Sequence, residues 1–223
     1  MSDLLPIFPL PNVVLFPIVF LPLHIFEPRY REMVADAIKS DRLIGMALLQ
    51  PGWEHDYEGR PPVYPVGCSG VITHIDRLPD GRYNIVLRGV ERFRIQEEDH
   101  RLSYRRAVVE SLPDWQTGPN DKTIIRNQRA KLESLLASTI ERSIDTASAT
   151  GSLVDRGHDP KIPTAMADED LVNALAQYLD LEPLERQALL EARNLCSRAE
   201  SLVELLEMKL LMARTPGLSN VAH

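Results

Sequence analysis

The chain has 223 residues, 44% hydrophobic and 26% charged, and 25 Lys and Arg against 32 Asp and Glu give it a formal charge of -7. That length fills one large domain or two small ones with a real core, and the negative balance argues against general attraction to nucleic acid or anionic lipid. Two isolated cysteines, Cys68 and Cys196, supply neither a disulfide framework nor a zinc ligand set, which fits a reducing, cytoplasmic setting.

From Leu4 to Phe26 no side chain is formally charged, and Pro6, Pro9, Pro11, Pro17 and Pro22 interrupt the run. It is long enough to span a bilayer, but interior prolines at roughly 3 kcal/mol each exclude a membrane helix. The only charge ahead of the run is Asp3, so it lacks the positive start of a secretory signal. Short extended pieces with prolines at strand ends, edges and turns remain.

Pro28 suits the first turn of a helix, and Tyr30, Met33, Val34, Ala37 and Ile38 share one helical face. The apolar run Leu43 to Leu49 reads as a buried strand, in which Gly45 marks a bulge or a close neighbour. Residues 51 to 62 read as a polar surface loop carrying Trp53, His55 and Tyr57. Val71 to Ile75, a turn at Pro79-Asp80-Gly81, and alternation through Tyr83, Ile85, Leu87, Phe93 and Ile95 predict a hairpin running into a long strand bent at Gly89. Tyr104 to Val109 predicts one more strand.

From Asp121 the apolar period changes from two to 3.6. One helix is expected through Ile124 to Ile140 and a second through Leu171 to Leu179. A third runs unbroken from Pro183 to about Met212, on the order of 45 Å at 1.5 Å per residue. Residues 143 to 165 show no period and are expected to be a mobile linker.

Three stretches resemble one family. Pro9 to Met33, PLPNVVLFPIVFLPLHIFEPRYREM, is similar to the opening of the Lon protease amino-terminal, or substrate-binding, domain. Val63 to Ile72 and Gly81 to Ile95 follow in that family's order and spacing, and ERQALLEA, Glu185 to Ala192, resembles the start of its last long helix. The resemblance implies an α+β fold: a PUA-like curved sheet, partly closed like a barrel, with one inserted helix and a C-terminal helical bundle with a long last helix. With the change of period it places the β domain at 1–117 and the helical bundle at 118–223. It also implies a free-standing member of the family that binds unfolded or flexible polypeptides and is no enzyme. An ATP-dependent protease would be a separate partner. The sequence holds no phosphate-loop motif of the G-x-x-x-x-G-K-[ST] type, and no cofactor is expected.

Among candidate sites, Gly67-Cys68-Ser69-Gly70 with His24 or His74 lacks an orienting carboxylate and an oxyanion donor, so packing is favoured over catalysis. Metal binding is not expected, because no second His or Cys stands at ligand spacing. Glu27, with Arg29 and Arg31 flanking the inserted helix, is expected to pair with an arginine fork and lock the turn. Phe16, Phe26 and Tyr30, with Trp53 and Tyr57 on the neighbouring loop, are the candidate lining of a peptide groove beside an exposed sheet edge. Arg82, Arg88, Arg92 and Arg94 form a stripe that offers anion binding. It would serve an alternative reading as an RNA-binding domain, although acidic neighbours favour a solvated face. A small-ligand pocket in the sheet mouth is a third reading, by analogy of fold alone.

Overall fold

The computed structural model describes residues 4–57, 59–113, 119–150 and 166–214. Two compact units divide the chain: Met1–Gln116 with Asn173–Ala192, and Thr117–Val172 with Arg193–His223.

The first unit holds six strands, β1 (Leu5–Leu10), β2 (Phe20–Ile25), β3 (Leu43–Leu48), β4 (Val66–Arg77), β5 (Tyr83–Asp99) and β6 (Arg105–Ser111), and helix α1 (Pro28–Ile38) between β2 and β3. Their order is β2-β5-β4-β3-β1-β6, and β5 also pairs with β6. Strand β5 therefore serves twice. Its first half holds β2 and its second half closes a ring on β6. Among the described strands, only β1 and β3 run parallel. Leu5, Ile7, Ala47, Leu49, Val63, Phe93 and Ala107 form a buried core cluster, with Trp53 and Tyr57 packed against it.

Two glycines let the sheet close. A Cβ on Gly45 would stand 2.8 to 2.9 Å from Leu5, Ile7 and Phe93, so this position accommodates close neighbours rather than a bulge. Gly89 lies against the Phe16 carbonyl, and the β4–β5 register jumps between Ser69 and Gly70, which puts the predicted bend where β5 changes partners. Pro28 opens α1, Glu27 and Arg29 pair at 3.0 Å as expected, and Tyr30, Met33, Val34 and Ala37 are its buried face.

Helix α4 (Pro183–Glu191) and the end of α3 (Asp168–Tyr178) complete this unit. Gln187 donates to the Val66 carbonyl at 2.9 Å, and the Phe16 amide donates to the Gln177 side chain at 3.1 Å. These bonds join Asn173–Ala192 to the sheet, so contacts do not divide the chain at the single 117/118 cut expected from sequence.

The second unit pairs α2 (Pro119–Thr150) with α5 (Leu195–Arg214). Lys131 reaches Glu207 at 2.8 Å, and Ile125, Leu132, Ala199, Leu202 and Val203 are buried. Helix α2 continues to Thr150, through the first part of the 143–165 segment assigned no structure from its composition. Residues 151–165 lie outside the described residues.

The helix expected from Pro183 to Met212 is two helices. Arg92 donates to the carbonyls of Leu190 and Ala192 and ends α4, while the Asn194 side chain accepts from the Ser197 amide and starts α5. The apolar period carries across the break, so periodicity alone does not reveal it.

Candidate functional site

Strand β2 is the free edge of the sheet, hydrogen-bonded on one side to β5. Gly89 donates its amide to the Val19 carbonyl at 2.9 Å, and in antiparallel pairing the outward and inward backbone groups alternate. Residues 21, 23 and 25 therefore aim their backbone at β5, and 20, 22 and 24 aim theirs outward. Pro22 falls on the outward set, where its missing N–H costs the sheet nothing. Tyr178 covers part of the same edge, because its hydroxyl donates to the Phe20 carbonyl at 3.0 Å. This edge is poorly suited to simple strand addition, which needs a continuous row of donors and acceptors.

Its side chains tell a different story. Phe20 is 51% exposed, Phe26 just beyond the strand is 60% exposed, and Tyr178 is 66% exposed. His24 stacks near Phe26 with ring centroids 6.2 Å apart. The imidazole is held in turn, with Nδ1 2.7 Å from the Asn84 carboxamide oxygen and Nε2 3.3 Å from an Arg82 nitrogen. In the tautomer these partners select, Nδ1–H donates to Asn84 and Nε2 accepts from Arg82. Six residues of strand cover about 20 Å at 3.3 Å per residue, so Phe20 to Phe26 make an apolar rail as long as an extended hexapeptide.

The predicted groove residues do not all lie here. Phe16 is fully buried and Tyr30 nearly so, and neither offers its ring to a peptide at the surface. Trp53 and Tyr57 are half-buried on the loop, 5.4 Å apart in an edge contact. The Tyr57 hydroxyl donates to Glu27, Arg29 donates to the Tyr57 carbonyl at 3.2 Å, and the guanidinium lies over both the Tyr30 and Tyr57 rings. Burial, with the adjoining Glu27 carboxylate, pushes the Tyr57 phenol above its ordinary value, so it remains a donor at neutral pH. This cluster ties the 51–62 loop to the start of α1. Of the five predicted positions, Phe26 alone lies on the exposed rail. Phe20 and Pro22 were the residues to add. Their signal in the sequence is parity, since they alternate with Leu21, Leu23 and Ile25 along one strand.

The arginine stripe is dispersed. Arg92 is buried against the end of α4, Arg82 pairs with Asp80 at 2.6 Å, and Arg94 lies 3.8 Å from Glu110. Arg88 is exposed opposite Phe20. The register jump beside Gly89 changes which side of β5 faces solvent, so the four do not make one basic surface. Cys68 is buried with its thiol on the neighbouring Ser69 carbonyl, and the Ser69 hydroxyl donates to the Glu91 backbone carbonyl, so among the described residues the Gly67–Gly70 segment assembles no nucleophile and base. Among the described residues no group of three or more His, Cys, Asp or Glu is placed to hold a metal, and no helix is long and apolar enough to cross a membrane.

A ring-closed mixed sheet with one inserted helix and a helical unit is the architecture of Lon amino-terminal domains. The model of the ATP-dependent protease La (LON) substrate-binding domain matches residues 4–208, and the chain belongs to that family. It is 28% identical over 207 residues to Lon protease 2 of Myxococcus xanthus, and 26% identical over 205 residues to Lon protease of Anaeromyxobacter dehalogenans. Those matches cover 93% and 92% of this chain but 24% and 23% of the relatives, so the chain spans about a quarter of their length. Among solved structures, the N-terminal domain of Mycobacterium avium complex Lon protease superposes with a TM-score of 0.61 at 16% identity, over 92% of this chain and 98% of that one. A Lon N-terminal domain protein from Xanthomonas campestris gives 0.56 at 23% identity, over 91% and 98%. Both likenesses concern the fold.

Proposed function

We propose that this protein is a non-enzymatic receptor for unfolded or flexible polypeptide, acting in protein quality control beside an ATP-dependent protease that supplies unfolding and cleavage. The observation that carries the reading is the pair Phe20 and Phe26, both more than half exposed, on the free edge strand and just past its end in a domain from a substrate-binding family. Large aromatics left in water along one strand are a cost that binding recovers, because covering apolar surface contributes about 25 cal/mol per Å². Client side chains would dock on the rail of Phe20, Pro22 and Phe26, with Tyr178 at one end. Pro22 and the capped Phe20 carbonyl favour side-chain contacts over an added strand, which suits clients of varied sequence.

The test is binding of the purified chain to a denatured client and to the same client folded. The denatured form is expected to bind, and the double variant Phe20→Ser, Phe26→Ser to lose most of that binding. Equal failure to bind either form, or full binding by the double variant, would remove the reading.

A further inference from the structure

A second site lies apart from the aromatic rail. Arg29, Arg60, Arg105, Tyr30, Ser103 and Tyr104 line a cleft of about 140 Å³, far above the ~10–15 Å³ that one water needs. Among the described residues no carboxylate lines it. The acids nearby hold the back of the basic groups: Glu27 takes Arg29 at 3.0 Å, Glu98 takes Arg105 at 3.3 Å, Glu32 takes the Ser103 hydroxyl at 2.6 Å and Asp36 takes the Tyr104 hydroxyl at 3.1 Å.

Arg60 differs from the other two. It donates to the carbonyls of His100 and Leu102 at 3.2 and 2.9 Å and contacts the His100 ring, and among the described residues it meets no carboxylate. Among those residues its positive charge is met by carbonyl dipoles and the His100 ring. Arg105 is buried, and burial, together with the like charges of Arg60 and Arg29, pulls its pKa down against the support of Glu98. Three guanidiniums that repel one another converge on a space that no carboxylate of the described residues lines.

The second observation is Tyr30. Its side chain is nine-tenths buried and lines the cleft, yet among the described residues no hydrogen-bond partner meets its hydroxyl. Tyr30 lines the cleft, so its hydroxyl is a donor that a ligand oxygen there can accept from. Burial raises the phenol pKa, which keeps the O–H in place as a donor.

We propose that this cleft binds one small oxyanion, a carboxylate or a phosphate, with Arg60 and the Tyr30 hydroxyl as its direct donors and Arg29 and Arg105 supplying the field. The arrangement stands whether or not the aromatic rail receives polypeptide, since the two share no residue.

The experiment titrates the whole chain calorimetrically, at constant ionic strength, with inorganic phosphate, with a short peptide ending in a free carboxylate, and with the same peptide amidated. Saturable one-to-one binding of phosphate or of the free-acid peptide, with none of the amide, is expected. Phosphate alone would identify a phosphate site, and the free-acid peptide alone a site for a chain terminus. Tyr30→Phe and Arg60→Gln should each weaken that binding tenfold or more, while Arg126→Gln, at an exposed arginine of α2, leaves it unchanged. Tyr30→Phe keeps the packing against Phe8, whose ring centroid is 4.5 Å away, so it tests the site even if Arg60→Gln fails to fold. No saturable binding by phosphate or by the acid peptide, or affinity unchanged in Tyr30→Phe, would overturn the assignment.

Discussion

Arg92, in the second half of a sheet strand, donates to the carbonyl of Leu190 at 2.8 Å and so closes the C-terminal end of α4. A second bond from the same nitrogen reaches Ala192 at 2.6 Å. One of the four stripe residues offered for anion binding therefore serves as a helix cap for the chain itself. Arg92→Met is expected to cost about 2–4 kcal/mol, since it leaves two carbonyls without their charged donor. The check is a urea titration, where the midpoint should fall with little change in slope.

Phe16 and Phe26 were alike in sequence and are opposite in structure, one fully buried and the other 60% exposed. Phe16→Ala should destabilise by about 3–5 kcal/mol, as large-to-small changes in a packed core do. Phe26→Ala should lie within about 0.5 kcal/mol of the parent and should act on client binding instead. Parallel denaturation and binding curves for the two variants separate these roles.

The chain leaving α1 becomes left-handed at Arg42, where φ is 63° and the side chain is exposed. Its amide still donates to the Ala37 carbonyl at 3.0 Å, so the turn itself is well bonded. A glycine removes the Cβ penalty of about 1–2 kcal/mol and loses part of that gain to unfolded-state entropy. Arg42→Gly should raise stability by about 0.5–1 kcal/mol, whereas Gly89→Ala, which drives a Cβ into the Phe16 carbonyl, should lower it by about 2 kcal/mol or more.

Asp99 is held down to about 2 by hydrogen bonds from Arg101, with Arg106 adding to them. Its ordinary value is about 3.9. Because the folded-state pKa is the lower one, its contribution is complete above pH ~4 and fades as pH falls toward 2. Asp99→Asn should therefore lie below the parent by a constant amount above pH ~4 and converge on it toward pH 2, so that the acid limb flattens. Urea midpoints measured at pH 2, 3, 4 and 7 for both forms test this.

Much of the fold was legible because local patterns report local geometry. Charge-free residues broken by proline could not be a membrane helix, Pro28 opened a helix, and alternation from Tyr83 to Ile95 marked the long strand that anchors the sheet. Gly89 read as a bend because only a residue without Cβ tolerates the Phe16 carbonyl against it. The site was less legible. Phe16, Phe26 and Tyr30 are interchangeable in hydrophobicity, and parity along one strand says which residues share a face but not which face is covered.

Sequence by itself determined the class, the strand and helix periods and the family, since these depend on residues within a few positions of one another. Tertiary structure decided what each side chain meets. It closed β5 onto β6, spent Arg92 on α4 some hundred residues away, left Phe20 and Phe26 in water, and brought Arg29, Arg60 and Arg105 around one cleft from three separate segments. Those outcomes follow from long-range pairing and burial, which no window along the chain contains.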